Sequence, residues 1–132
     1  MVAQAVAASG VPRDQLFLTT KQLSPSPGGV DGTYATVVDS VKKLGGDSGY
    51  IDLMLIHSAS SGSSGRKTLW QAYERAYDEG KVKAIGVSNW GIKHIEELKG
   101  FAKVWPPHVN QIEVSGRQTD LVLHLLAFSG KC

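Results

Sequence analysis

The stretch 49-GYIDLMLIH-57 decides the fold. A glycine opens it, an almost wholly apolar run follows, and one histidine closes it. Runs of this kind are buried parallel strands, apolar throughout because helices cover both faces of the sheet. Asp52 interrupts the run, and His57 stands where the strand emerges. Ligands and chemistry collect at the carboxyl ends of strands in α/β folds. His57 is therefore either a functional group or a polar residue that ends a strand by turning to water.

Upstream, L-F-L-T-T-K (Leu16 to Lys21) reads as a strand ending on Lys21. Residues 22–32 hold Pro25, Pro27, Gly28, Gly29 and Gly32 and are expected as a loop, with Asp31 or Thr33 placed to cap the next helix. Tyr34, Val37, Val38, Val41 and Leu44 recur at helical spacing until Gly45, which makes Tyr34 a core residue in expectation. Further back, Val2, Ala3, Val6 and Ala7 share a helical face that Gly10 ends, and residues 11–14 form a turn. A chain that opens on the last turns of a helix is expected to begin partway through a larger unit.

Downstream, Ser58 to Gly65 is small and polar and is expected as a flexible loop. Thr68 with Gln71 is a capping-box signature, followed by an apolar face of Leu69, Trp70, Tyr73, Ala76 and Tyr77. Gly80 closes that helix, and A-I-G-V-S-N (Ala84 to Asn89) is the next strand. Ile92, Ile95, Leu98 and Phe101 mark a helix that Trp105-Pro106-Pro107 is expected to end. His108 to Val114 reads as a fourth strand carrying Asn110, Gln111 and Glu113, and Thr119 to Phe128 as a last helix, apolar almost all round.

Strands alternating with helices imply a parallel sheet with right-handed crossovers. The strands end on, or carry near their ends, Lys21, His57, Ser88 with Asn89, and Gln111 with Glu113. Chemistry-bearing residues at every strand end are the layout of a (β/α) barrel site. A full barrel takes about 250 residues, and the chain has 132. The expected fold class is thus α/β, a partial (β/α)8 TIM barrel of about four parallel strands alternating with helices; the alternative is a small open α/β unit.

Composition excludes several classes. A net charge of +2 with both signs spread along the chain gives no basic stripe for nucleic acid. No apolar run is long enough to span a membrane. Residues 1–10 lack the basic start and apolar core of a signal peptide, and Cys132 is the sole cysteine, so the cytoplasm is the expected location. No His, Cys, Asp or Glu pair has metal-ligand spacing. His94 and His124 fall in helical patterns and read as surface or packing residues; His108 has no evident partner; Glu113 reads as structural.

In this order and at these spacings, L-F-L-T-T-K, Y-I-D-L-M-L-I-H, G-K-V-K-A-I-G-V-S-N-W and V-N-Q-I-E closely resemble the aldo-keto reductases. The resemblance runs from about Val2 to Glu113 and fades after about 114, which makes 1–132 an incomplete domain of that family. It implies a barrel that reduces aldehydes or ketones to alcohols with NADPH, taking hydride from nicotinamide and a proton from a tyrosine. It implies Lys21 and His57 as catalytic residues: the lysine lowers the tyrosine's pKa, and the histidine orients and polarises the carbonyl of a small substrate. It implies Ser88, Asn89 and Gln111 as contacts to the nicotinamide carboxamide.

The family's catalytic set also holds a tyrosine and an aspartate, both ahead of the lysine. Before Lys21 this chain has no tyrosine, and Asp14 lies at the amino end of its strand, the wrong rim. The basic segment that grips the cofactor's 2′-phosphate follows the family's sixth strand and has no counterpart here. After Glu113 the family usually continues with one residue and His-Pro, where this chain has Val114-Ser115-Gly116; after the histidine many members carry an aromatic residue and proline, where this chain has Ser58 and Ala59. The expectation is a reductase by descent that is inactive alone, binds NADPH weakly, and self-associates through unpaired sheet edges. Two alternatives stand beside it: a non-catalytic remnant or subunit that pairs with another chain, and a Schiff-base lyase using Lys21.

Overall fold

A computed structural model describes residues 2–113. The expected helix Thr119 to Phe128, the segment Val114-Ser115-Gly116, His124 and Cys132 lie outside the described residues. Within them the order is α1 (Val2–Ala8), β1 (Thr19–Gln22), α2 (Gly29–Gly45), β2 (Ile51–Ile56), α3 (Gly62–Asp78), β3 (Val82–Ser88), α4 (Ile92–Leu98) and β4 (Asn110–Gln111). The four strands form one curled parallel sheet in the order β1-β2-β3-β4, an arc of a (β/α) barrel. The alternation of strand and helix along the sequence produces it, since each helix carries the chain back to start the next parallel strand.

The core lies between the outer face of the sheet and helices α2–α4, where Val37, Met54, Trp70, Tyr73, Ile85 and Trp90 have at most 1% of their surface exposed. Leu53 and Leu55 are also buried but fall on the opposite, inner face, as strand alternation requires. β2 is thus apolar on both faces, which is why it reads as an unbroken run. Asp52, the interruption, has a structural task. Its carboxylate accepts the Leu18 N–H at 2.7 Å and pairs with Arg13 at 2.7 Å, while Arg13 also lies 4.1 Å over the Tyr50 ring. This fixes the amino end of the sheet, away from the strand-end rim. No helix among the described residues is long and apolar enough to cross a membrane.

Several boundaries differ from those expected. β1 starts at Thr19 rather than Leu16, because the Asp52 carboxylate and the Leu18 carbonyl direct the chain into the sheet only from Leu18 onward. α2 starts at Gly29, and neither Asp31 nor Thr33 caps it. Buried Thr33 instead accepts the Ser26 N–H at 3.0 Å and donates to the Gly29 carbonyl, so it ties the preceding loop to the first turn. α3 starts at Gly62, inside the expected loop; the first amides of a helix lack intrahelical partners in any case, and small residues there cost little. Thr68 therefore sits within the helix and donates back to the Ser64 carbonyl at 3.0 Å, which removes the capping-box reading.

α4 ends at Leu98, well before Trp105-Pro106-Pro107. What turns the chain is buried Glu74, whose carboxylate accepts the Lys103 and Val104 N–H groups at 2.5 and 2.9 Å. β4 spans Asn110–Gln111, shorter than the expected 108–114. Tyr34 is half-buried at the core's edge: its hydroxyl donates to Glu79 and the Arg75 guanidinium lies 3.8 Å over its ring. Burial and the Glu79 carboxylate both push the Tyr34 phenol up, and the same hydrogen bond holds Glu79 below the usual carboxylate range.

Candidate active site

The strand register sets the site. Lys21 pairs with Leu55 and Leu55 with Gly86; one step further, the His57 N–H donates to the Gln22 carbonyl at 2.9 Å and Ser88 pairs with Gln111. The carboxyl ends of all four strands therefore meet on one rim. Lys21, His57, Ser88, Asn89 and Gln111, with Ile112 and Glu113, line one cleft of about 330 Å³. A larger hollow of about 480 Å³ lies among the helices, where three of its charged side chains are engaged: Glu74 with the 103–104 amides, and Arg75 with Asp31 and with Glu79.

Hydrogen bonding defines what the cleft can offer. Ser88 is 3% exposed, and its hydroxyl donates to the Gln111 carbonyl at 2.9 Å, which leaves its oxygen as an acceptor. Asn89 adopts the left-handed region, φ 55°, where asparagine is among the few non-glycine residues tolerated. Its N–H donates to the Gln111 carbonyl and its Oδ1 accepts the Glu113 N–H at 2.8 Å, which leaves its Nδ2 as a donor with one long contact, 3.4 Å, to Ser88. Lys21, His57 and Gln111 are exposed and make no side-chain hydrogen bond or ion pair among the described residues.

Three structural contributors escape sequence reading. Arg66 makes a two-pronged pair with Glu97 at 2.6 and 3.0 Å and donates to the Ala59 carbonyl at 2.7 Å, so it ties the loop after His57 to the helix after Asn89. The Arg66 guanidinium, chiefly, holds the Glu97 carboxyl below its ordinary range. Asn110 grips the Trp90 backbone. Gly86 lets β4 approach: a Cβ there would stand 2.4 Å from the Val109 carbonyl oxygen and 2.8 Å from Leu55 Cδ2. None has a local sequence signal, since each acts on a residue distant along the chain.

Gly86→Ala is accordingly expected to push β4 off β3 and to cost about 1–3 kcal/mol, the usual range for overpacking. A urea titration would show the lowered midpoint; an unchanged midpoint would mean that β4 shifts freely.

The remaining titratable candidates are structural. His108 Nδ1 meets the backbone of Ile85 and its ring packs on Tyr77, while His94 sits edge-on to Trp90. Tyr73 is buried, its hydroxyl donates to the Leu55 carbonyl at 3.2 Å, and burial pushes its phenol far up. No tyrosine among the described residues lines the cleft. No group of His, Cys, Asp and Glu among the described residues is arranged to hold a metal.

A curled sheet of parallel strands with polar groups gathered at their carboxyl ends is the layout of part of a (β/α) barrel, a fold whose sites form on that rim. The sequence model of the aldo/keto reductase family matches residues 1–121. The chain belongs to the aldo/keto reductase family, as the strand-end motifs led us to expect. It is 45% identical over 104 residues to an uncharacterized oxidoreductase of Saccharomyces cerevisiae, covering 78% of this chain and 36% of that one. It is 40% identical over 118 residues to glyoxal reductase of Bacillus subtilis, covering 89% of this chain and 41% of the relative. Among solved structures, an aldo/keto reductase from Brucella melitensis superposes with a TM-score of 0.80 at 34% identity, over 96% of this chain and 49% of that one. The Bombyx mori enzyme in complex with NADP gives a TM-score of 0.74 at 34% identity, over 96% and 43%. The chain thus spans 36–41% of the length of these curated relatives.

Proposed function

We propose that the chain carries part of the site of an NADP(H)-dependent carbonyl reductase and does not reduce carbonyls by itself. The observation that carries this reading is the convergence of Lys21, His57, Ser88, Asn89 and Gln111 on one cleft. The cleft's polar groups suit a nicotinamide carboxamide. Ser88 has an acceptor to offer, Asn89 a donor, and Gln111 a free amide with both, matching a group that has both an N–H₂ and a C=O. A bound nicotinamide cofactor would supply the hydride. Ser88, Asn89 and Gln111 would fix its ring and hence the face presented to substrate. His57 would hydrogen-bond the carbonyl oxygen of a small aldehyde or ketone, and Lys21 would place positive charge beside it. The relatives support the substrate class and cofactor: one is named a glyoxal reductase, and another is solved with NADP.

The cleft presents one lysine and no arginine among its lining residues. Charge-assisted contacts to phosphate are the strong ones, so NADPH is expected to bind more weakly than micromolar. A fluorescence titration checks this, and micromolar or tighter binding would contradict it. A Schiff base at Lys21 is the competing chemistry, and borohydride with a carbonyl substrate would trap it as a stable adduct.

β1 and β4 are each paired on one side among the described residues, and Phe17 and Leu23, 70% and 50% exposed, flank β1. Open strand edges take partners, so the purified chain is expected to self-associate. Light scattering after size-exclusion chromatography reads this directly; a monodisperse monomer would contradict it.

A further inference from the structure

We propose that Asn110 is a positioning residue of the strand-end rim, holding the Ser88–Asn89 turn against Gln111 through the backbone of Trp90. The functional part of this inference rests on the reading of the cleft as a nicotinamide site. The β3–β4 ladder has only two residue pairs, Val87 with Asn110 and Ser88 with Gln111. Directly beyond it the chain turns left-handed at Asn89, and Trp90 follows with none of its surface exposed. The backbone of Trp90 is therefore past the ladder and out of water, where its N–H and C=O need partners.

One side chain supplies both. Asn110 Oδ1 accepts the Trp90 N–H at 3.3 Å, and Asn110 Nδ2 donates to the Trp90 carbonyl at 2.9 Å. The pairing is reciprocated one residue earlier, where Asn89 Oδ1 accepts the Glu113 N–H at 2.8 Å. Two asparagines, each reaching to the other's segment, thus continue by side chain a pairing that the backbone has stopped making. Asn110 does not line the cleft, so its effect passes through Trp90. It determines whether the Ser88 oxygen and Asn89 Nδ2 face the same space as the Gln111 amide. Only a carboxamide of this length does both jobs: aspartate lacks the donor, leucine lacks both groups, and glutamine is a methylene too long.

The test is hydrogen–deuterium exchange by mass spectrometry on the full chain, with and without millimolar NADPH. The variants are Asn110→Leu, Asn110→Asp and, as a stability control, Val41→Ala in the core under α2. In Asn110→Leu the amides of 88–91 are expected to exchange roughly tenfold faster, the effect of losing hydrogen bonds to a buried group. Exchange in α2 should be unchanged and NADPH protection of 88–91 lost. Asn110→Asp should lie between and serves if the leucine variant does not fold. Val41→Ala should keep NADPH protection, which separates positioning from general stability. Exchange at 88–91 unchanged in both Asn110 variants would overturn the proposal, as would NADPH protection that survives in them. Failure of NADPH to protect 88–91 in the unmodified chain would instead overturn the nicotinamide reading, while the exchange rates still decide the clamp.

Discussion

Trp70→Ala is expected to destabilise the chain by about 3–5 kcal/mol, the usual cost of truncating a large buried aromatic residue. Trp70 is fully buried on α3, in the cluster that joins α2, α3 and the outer face of β2 and β3. Few layers lie behind it, so the cavity would open between helices and sheet with nothing to refill it. Domains of ordinary size are stable by only about 5–15 kcal/mol, and a short chain sits low in that range. The cooperative thermal transition should therefore disappear or fall below room temperature. Circular dichroism at a fixed protein concentration measures this. Trp70→Phe should cost far less, because the buried indole N–H of Trp70 makes no hydrogen bond among the described residues. A midpoint for Trp70→Ala within about 5 °C of the unmodified chain, the shift expected for roughly 1 kcal/mol, would show that the core does not depend on this side chain.

How much of this was legible in sequence follows from where each signal resides. β2 was readable almost to the residue, because Ile51–Ile56 is apolar on both faces and no other element type of that length is. The strand-end residues were readable because alternation of strand and helix forces Lys21, His57, Ser88 and Gln111 onto one rim. The start of β1 was not, because it is fixed by Asp52, 34 residues away from Leu18. The start of α3 was hidden by Gly62–Gly65, whose composition suits a loop and a first helical turn equally. Thr68 with Gln71 matched a cap by spacing alone; the helix already runs from Gly62, and the Thr68 hydroxyl bonds back to the Ser64 carbonyl. The site's supports, Arg66 on Glu97 and Asn110 on Trp90, are tertiary contacts between segments 31 and 20 residues apart, for which local pattern carries no information.

The larger functional effect concerns the proton. Reducing a carbonyl requires an acid at the oxygen as hydride arrives at carbon, and a positioned general acid contributes about 10²–10⁴-fold. The resemblance implies a tyrosine ahead of the lysine, and residues 1–20 of the sequence given hold none. The tyrosines present are committed elsewhere. Tyr34 donates to Glu79 on the outer surface, Tyr50 packs under Arg13 at the amino end of the sheet, Tyr73 is buried on the Leu55 carbonyl, and Tyr77 packs on His108. Among the described residues, Lys21 and His57 thus face a cleft with no phenol to work with.

The most direct test is the rate of NADPH oxidation by the purified chain with a small aldehyde, compared with its Lys21→Met and His57→Ala variants. The expected result is a rate at background in all three. Steady oxidation by the unmodified chain that is lost in either variant would mean that this cleft completes the reaction with an acid other than a tyrosine, and would contradict the reading of the chain as inactive by itself.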